Sequence, residues 1–86
     1  MIRIELYEMA RHLAGVACAD VDATTLAEAL GALREAYPAL EPDVIVEDQL
    51  APNWRASLGG GPWLEDPLTP LSPGDVLVLV SALAGG

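Results

Sequence analysis

The chain has 86 residues and 52% apolar side chains, which is enough for one domain with a modest core in two packed layers over residues 1–86. Thirteen Asp and Glu face only four Lys and Arg, all four of them arginine, so the net charge is −9. Phosphate backbones and anionic membranes are repelled by such a chain; nucleic acid and membrane are excluded as expected partners, and a basic protein surface fits better.

Met1-Ile2-Arg3-Ile4-Glu5 alternates charged and apolar residues where a secretory signal needs a basic segment followed by an apolar block. The longest apolar stretch, Val76 to Ala84 with Ser81 inside it, falls far short of the ~20 residues that span a bilayer. A cytoplasmic location is therefore expected. The lone Cys18 agrees, offering neither a disulfide framework nor ligands enough for zinc or an iron–sulfur cluster.

Ile2, Ile4 and Leu6 alternate with Arg3, Glu5 and Tyr7, which predicts a strand with the first three turned to the core and Tyr7 on the opposite face. Residues 8–15 read as a mixed connection, with His12 a surface residue lacking any second ligand nearby. Val16 to Val21 reads as a weaker returning strand. Small apolar neighbours around Cys18, with no cation or helix start to lower its pKa, predict a packed, inert thiol.

Thr25-Leu26-Ala27-Glu28 matches a capping box at a helix start. Leu26, Leu30, Leu33 and Tyr37 then recur at helical spacing, and Pro38 ends the helix near Ala36. The stripe reads as core packing. Ala39 to Pro52 is an irregular connection whose Val44-Ile45-Val46 either forms an extra strand or packs over an open edge. Asn53 to Leu58 and Trp63 to Glu65 read as strands joined through a Gly59-Gly60-Gly61-Pro62 hairpin turn; no Lys-Ser/Thr pair or helix follows to make a phosphate loop. Pro73-Gly74 suits the centre of a type II turn, with Asp75 a turn residue.

Val76-Leu77-Val78-Leu79-Val80 is a β-branched apolar run that predicts a strand buried on both faces. Ser81 to Gly86 then follows as mostly small residues ending in two glycines. From Ala82 onward it is expected to project as a flexible peptide with an extended reach of about 15 to 18 Å.

The order strand, strand, helix, strands, closing strand predicts an α+β fold: a mixed sheet of four to five strands packed on one main helix. One helix covers one face. With Leu77 and Leu79 toward it, Val76, Val78 and Val80 point away and, with Tyr7 and Leu64, make an exposed apolar patch of the kind that marks an interface.

Several segments resemble one family: the Ile-Arg-Ile-Glu-Leu-Tyr opening, Ala10-Arg11-His12-Leu13-Ala14-Gly15, Pro67 to Val76, and the closing Ala84-Gly85-Gly86. Together they look like the prokaryotic ubiquitin-like sulfur carriers, closest to the small subunit of molybdopterin synthase and then to the thiamine-pathway carrier. The chain departs from that pattern at Gly59-Gly60-Gly61, where the family often has Asn-Gly, and at Val80-Ser81-Ala82, where it often has aromatic residues and proline.

The resemblance implies a β-grasp fold and a protein cosubstrate rather than an enzyme. It implies that Gly86 is adenylated by a ubiquitin-activating-like adenylyltransferase using ATP and Mg, and that a sulfurtransferase then supplies sulfur. The product is a C-terminal thiocarboxylate, with no cofactor bound by the chain. Ala84 and Gly85 would thread a narrow channel, while Tyr7, Leu64, Val78 and Val80 dock the body on a partner such as the large subunit of a sulfur-accepting synthase. The chemistry suits the group, since an ionised carboxylate is a poor electrophile until activated. Molybdopterin is the expected acceptor; thiamine, cysteine, tRNA or a secondary metabolite are alternatives. A ubiquitin-like binding or protein-modifying module is the competing reading. A stand-alone enzyme is disfavoured by the lack of a nucleophile–base pair, metal cluster or cofactor loop.

Overall fold

A computed structural model describes residues 1–81. Strand β1 (Ile2–Leu6) leads through helix α1 (Glu8–Ala14) into β2 (Cys18–Val21), then helix α2 (Leu26–Ala36) and a 3₁₀ turn at Pro38–Leu40. The chain continues through the short strands β3 (Ile45–Val46) and β4 (Gln49–Leu50), then β5 (Trp54–Leu58), β6 (Trp63–Leu64) and β7 (Val76–Ser81). Five strands form one mixed sheet in the order β2-β1-β7-β5-β6, and β3 pairs with β4 as a separate two-stranded hairpin. The β1–β7 pair is parallel, and every other neighbouring pair is antiparallel. The expected α+β architecture is thus present, with two helices rather than one.

Alternation decides what each strand contributes. Ile2, Ile4 and Leu6 of β1 and Leu77 and Leu79 of β7 are buried on the helix side, where they meet Ala29, Leu30 and Leu33 of α2 in one cluster. Val44 and Ile45 join the same core, so the apolar piece of the long connection acts both ways: Ile45 and Val46 pair with Gln49 and Leu50, and Val44 and Ile45 bury their side chains.

Residues 8–15 are not a mixed connection. Glu8 to Ala14 forms a helix whose last turn closes on Gly15 in the left-handed conformation (φ 78°), its N–H bonded to the carbonyl of Arg11. Glu8 lies in the first turn and Arg11 and His12 in the last, which suits the helix dipole. Ala10 is fully buried. His12 is exposed, as expected.

The start of α2 is held from two sides. Thr25 Oγ1 accepts from the Glu28 N–H at 3.2 Å. The Glu28 carboxylate reaches one residue further back than the ordinary capping box, accepting from both the N–H and the hydroxyl of Thr24 at 2.8 Å. The next two helix donors are taken by the loop that leads to β7: Leu26 N–H bonds the Thr69 carbonyl and Ala27 N–H that of Pro67. That loop ends in the expected turn, with Gly74 at φ 92°, Asp75 N–H bonded to the Ser72 carbonyl, and the Asp75 carboxylate accepting from Ser72 N–H. Helix start and closing strand are therefore tied through one segment.

Replacing Thr25 with Ala is expected to lower the unfolding free energy by about 1 kcal/mol in urea titration. The hydrogen bonds from Thr24 hold the Glu28 carboxyl below its ordinary value of 4.5. Its contribution is consequently complete above the unfolded-state pKa and is lost as pH falls through the lower folded-state value. The stability difference between wild type and Glu28→Gln should be present at neutral pH and disappear in strongly acidic buffer. A difference that grew on acidification would contradict the assignment.

Candidate functional site

The sheet face away from the helices is laid out by strand register. Glu5 pairs with Cys18 on one side and Val78 on the other, and Ser57 pairs with Val78 and with Trp63. Cys18, Glu5, Val78, Ser57 and Trp63 thus form one row across all five strands. A second row joins Val80 to Arg55; continuing the β1–β7 register past its last pair, Leu6 and Leu79, brings Tyr7 level with Val80. Val76, Val78 and Val80 are half-buried, while their neighbours Leu77 and Leu79 are fully buried. The valines therefore run as an apolar ridge down the middle of the face, as the alternation predicts, and the strand is fully buried on one face only rather than on both as its composition suggests.

Both flanks of the ridge are polar and internally engaged. On the β1–β2 side Arg3 Nε donates to Asp20 Oδ1 at 3.2 Å, and Tyr7 Oη donates to Glu5 Oε1 at 2.9 Å. The Glu5 carboxylate, as hydrogen-bond acceptor and as a nearby negative charge, raises the Tyr7 phenol above its usual range. Tyr7, 42% exposed, therefore presents its ring with the hydroxyl pinned to its own strand. On the β5–β6 side the Arg55 guanidinium lies 5.9 Å from the ring centroid of Trp63.

Two sequence expectations are corrected here. Leu64 does not join the patch. It pairs with Ala56, a buried residue whose other partner is Leu79, so it faces the helices and packs against the core. Its neighbour Trp63, 50% exposed, takes the place on the open face. The sequence reading missed Trp63 and Arg55; the signal was the pairing across the glycine turn, where Gly59 and Gly60 adopt φ of 61° and 80° and fix which residue of the returning strand faces out. Cys18 is not a packed thiol: it is exposed, with Ala19 and Val21 taking the buried positions of β2.

β7 ends at Ser81, which pairs with Trp54. The root of the terminal segment is therefore at the Tyr7 and Val80 end of the ridge. Ala84, Gly85 and Gly86, the residues expected to thread a channel and to carry the reactive carboxyl, lie outside the described residues. Among the described residues no helix is long and apolar enough to cross a membrane.

No protein-family model and no curated protein matches the sequence. Solved structures do. Small archaeal modifier protein 1 from Haloferax volcanii is similar with a TM-score of 0.78 and 29% identity, over 99% of this chain and 98% of that one. CysO in the Amycolatopsis orientalis BexX/CysO complex gives a TM-score of 0.81 at 14% identity with both chains fully covered. Small archaeal modifier protein 1 from Methanosarcina acetivorans gives 0.79 at 20% identity, over 99% of this chain and 95% of that one. The last two bear on fold alone. These structural neighbours are small archaeal modifier proteins and CysO, and the fold of the chain is the β-grasp expected from the sequence.

The placement of β6 predicts unequal costs for its two residues. Leu64→Ala should destabilise the protein by about 1–3 kcal/mol, and Trp63→Ala by no more than about 1 kcal/mol, in the same urea assay. The reverse order would mean that the strand presents its other face. Cys18 in the folded protein should react with a thiol reagent as fast as it does in denaturant.

Proposed function

We propose that the chain is a sulfur carrier whose reactive group is the carboxyl of Gly86 and whose folded body exists to present it. The observation that carries this reading is the position of β7. It is the central strand, gripped on both edges by β1 and β5, and it runs out at Ser81 beside an apolar ridge, with Ala82 to Gly86 following in sequence. The similarity to small modifier and carrier proteins over nearly the whole chain supports it.

In this reading a ubiquitin-activating-like adenylyltransferase binds the body through Tyr7, Val78 and Val80 and takes the tail into its active site. The Gly86 carboxylate attacks the α-phosphorus of Mg-bound ATP and pyrophosphate leaves. Hydrosulfide, released from the persulfide of a sulfurtransferase by a thiol reductant that is oxidised to its disulfide, then attacks the acyl carbon, and AMP departs with the former carboxylate oxygen. The resulting thiocarboxylate is a tethered nucleophile. Ala84 and Gly85 are small enough to let the segment through a narrow channel. Leu64, turned to the core, is replaced in the docking role by Trp63, beside which Arg55 supplies a cation on that flank of the face.

The acceptor we favour is molybdopterin, on the resemblance of the opening, the Pro67 to Val76 approach and the tail to the small subunit of molybdopterin synthase. Val80-Ser81-Ala82, in place of the aromatic and proline residues common there, keeps thiamine, cysteine, tRNA and secondary-metabolite acceptors as alternatives. A second reading is favoured by the Haloferax neighbour, whose name is that of a modifier: the activated Gly86 would be attacked by a lysine amine of another protein to form an isopeptide bond.

Incubation with the activating enzyme, ATP and sulfide, followed by intact-mass measurement, should show one oxygen of the chain replaced by sulfur. Removal of Gly85 and Gly86, or addition of one residue after Gly86, should abolish the change. Val78→Asp should lower the efficiency of adenylation at least about tenfold with the fold intact, because the docking contact would then have to desolvate a carboxylate. An unmodified mass in the presence of a competent activating enzyme would sink the carrier reading. An adduct to a protein lysine in place of the sulfur product would establish the second.

A further inference from the structure

The fifth strand of the sheet is two residues long and pairs only with Ala56 and Ser57, so the outer edge of β5 at Trp54 and Arg55 has no strand beside it. Beneath that gap the interior between sheet and helix is open. A groove of about 450 Å³ runs there, floored by the half-buried Leu50 of β4, Leu64 and Trp54, with the buried Leu26 and Leu30 of α2 behind them. Its floor lies on the opposite side of the sheet from the valine ridge, since Leu64 and Trp54 face the helix side, while Arg55 and Trp63 at its rim belong to the open face. Its volume lies in the ~300–1,000 Å³ range of ligand pockets and suits one or two side chains rather than a globular surface.

The rim sets the chemistry. Asp48 and Glu65 stand at the groove as exposed carboxylates, and neither takes part in an ion pair among the described residues. Arg55, the one cation there, is engaged with the ring of Trp63. An apolar floor that includes the Trp54 ring, with two unpaired carboxylates and the Trp63 ring at its edge, matches a long cationic side chain that buries its stem and leaves its charge at the rim.

A second copy of this chain is a poor occupant. It carries −9, it has no lysine, and three of its four arginines are already engaged: Arg3 with Asp20, Arg34 with Glu35 and the Glu47 carbonyl, and Arg55 with Trp63. Strand addition along the β6 edge is also disfavoured, because Pro62 and Pro67 bracket its two residues.

We infer that this groove is a docking site for an extended basic segment of a different protein, in which an apolar side chain enters over Leu50 and Leu64 and an Arg or Lys two residues on meets Asp48 and Glu65. Because Ser81 pairs with Trp54, a partner held there sits close to the root of the terminal segment without using the valine ridge. The groove does not depend on what Gly86 does.

The test is titration of the full-length ¹⁵N-labelled protein with acetyl-Leu-Ala-Arg-amide, and in parallel with acetyl-Leu-Ala-Glu-amide, following the indole N–H signals of Trp54 and Trp63. The arginine peptide should give saturable shifts at both indoles and the glutamate peptide none. The double variant Asp48→Asn, Glu65→Gln should bind the arginine peptide about three- to tenfold more weakly, the size that two exposed ion pairs supply, with an unchanged melting temperature. Deleting Gly85 and Gly86 should leave binding unaltered, which separates this result from that of the sulfur assay. Equal shifts from both peptides, no saturable shift up to about 10 mM, or indole shifts that follow protein concentration without peptide would overturn the proposal, the last by placing a second copy in the groove.

Discussion

The parallel pairing of β1 with β7 is the constraint from which the rest of the structure follows. These strands come from opposite ends of the chain, and their register places Arg3, Ile4, Glu5 and Leu6 beside Val76, Leu77, Val78 and Leu79. Joining them closes a loop of most of the sequence. The entropic cost of that closure grows only logarithmically with length, but it must be met before the contacts it permits can form. What stabilises the closed state is the layer of side chains it assembles: Ile4, Leu77 and Leu79 have no exposed surface at all, and they pack with Leu33 and Ala29 of α2. A two-residue period then leaves no choice for the valines. Once Leu77 and Leu79 are anchored inward, Val76, Val78 and Val80 must face out.

The same pairing sets where Ser81, the last described residue, sits. Because β7 runs parallel to β1, its carboxyl end lies at the carboxyl end of β1, next to Tyr7, and across from the beginning of the antiparallel β5 at Trp54. Three features are thereby brought to one end of the sheet: the top of the valine ridge, the phenol held by Glu5, and the groove uncovered by the shortness of β6. A partner that engages any of them is near Ser81. The connecting loop reinforces this arrangement, since the carbonyls of Pro67 and Thr69 complete the start of α2 a few residues before the turn that feeds β7.

Most of the sheet was legible in the sequence because its strands alternate cleanly. Ile2-Arg3-Ile4-Glu5-Leu6 and the Val-Leu run state their own faces, and Thr25 with Glu28 marks the start of α2. What was missed depended on more than local pattern. Helix α1 spans only two turns, too few for a periodic stripe, and its sign was Gly15 as the terminating residue. Leu64 was given the wrong face and Trp63 none, because a strand of two residues carries no alternation of its own; its orientation comes from pairing with Ala56 and Ser57, set by the glycine turn. For Cys18 the smallness of its neighbours suggests packing, whereas alternation with Ala19 and Val21 places it outward. The terminal glycines, by contrast, were legible only as chemistry.

Charge divides the surface in a way that the total of −9 conceals. On the open face, the carboxylates of Glu5 and Asp20 are each tied to a side chain of β1 or its end, so the ridge beside them offers apolar area next to carboxylates that already have partners. At the groove, Asp48 and Glu65 are left uncommitted. The two surfaces thus ask for different partners, one apolar and one basic. Lysine is missing from all 86 residues, which bears on both readings of the terminus. If Gly86 donates sulfur, the activated acyl group meets no lysine amine within its own chain that could capture it before sulfur does. If Gly86 instead forms isopeptide bonds, lysine-linked polymers of the chain cannot grow, and each target lysine would carry one copy.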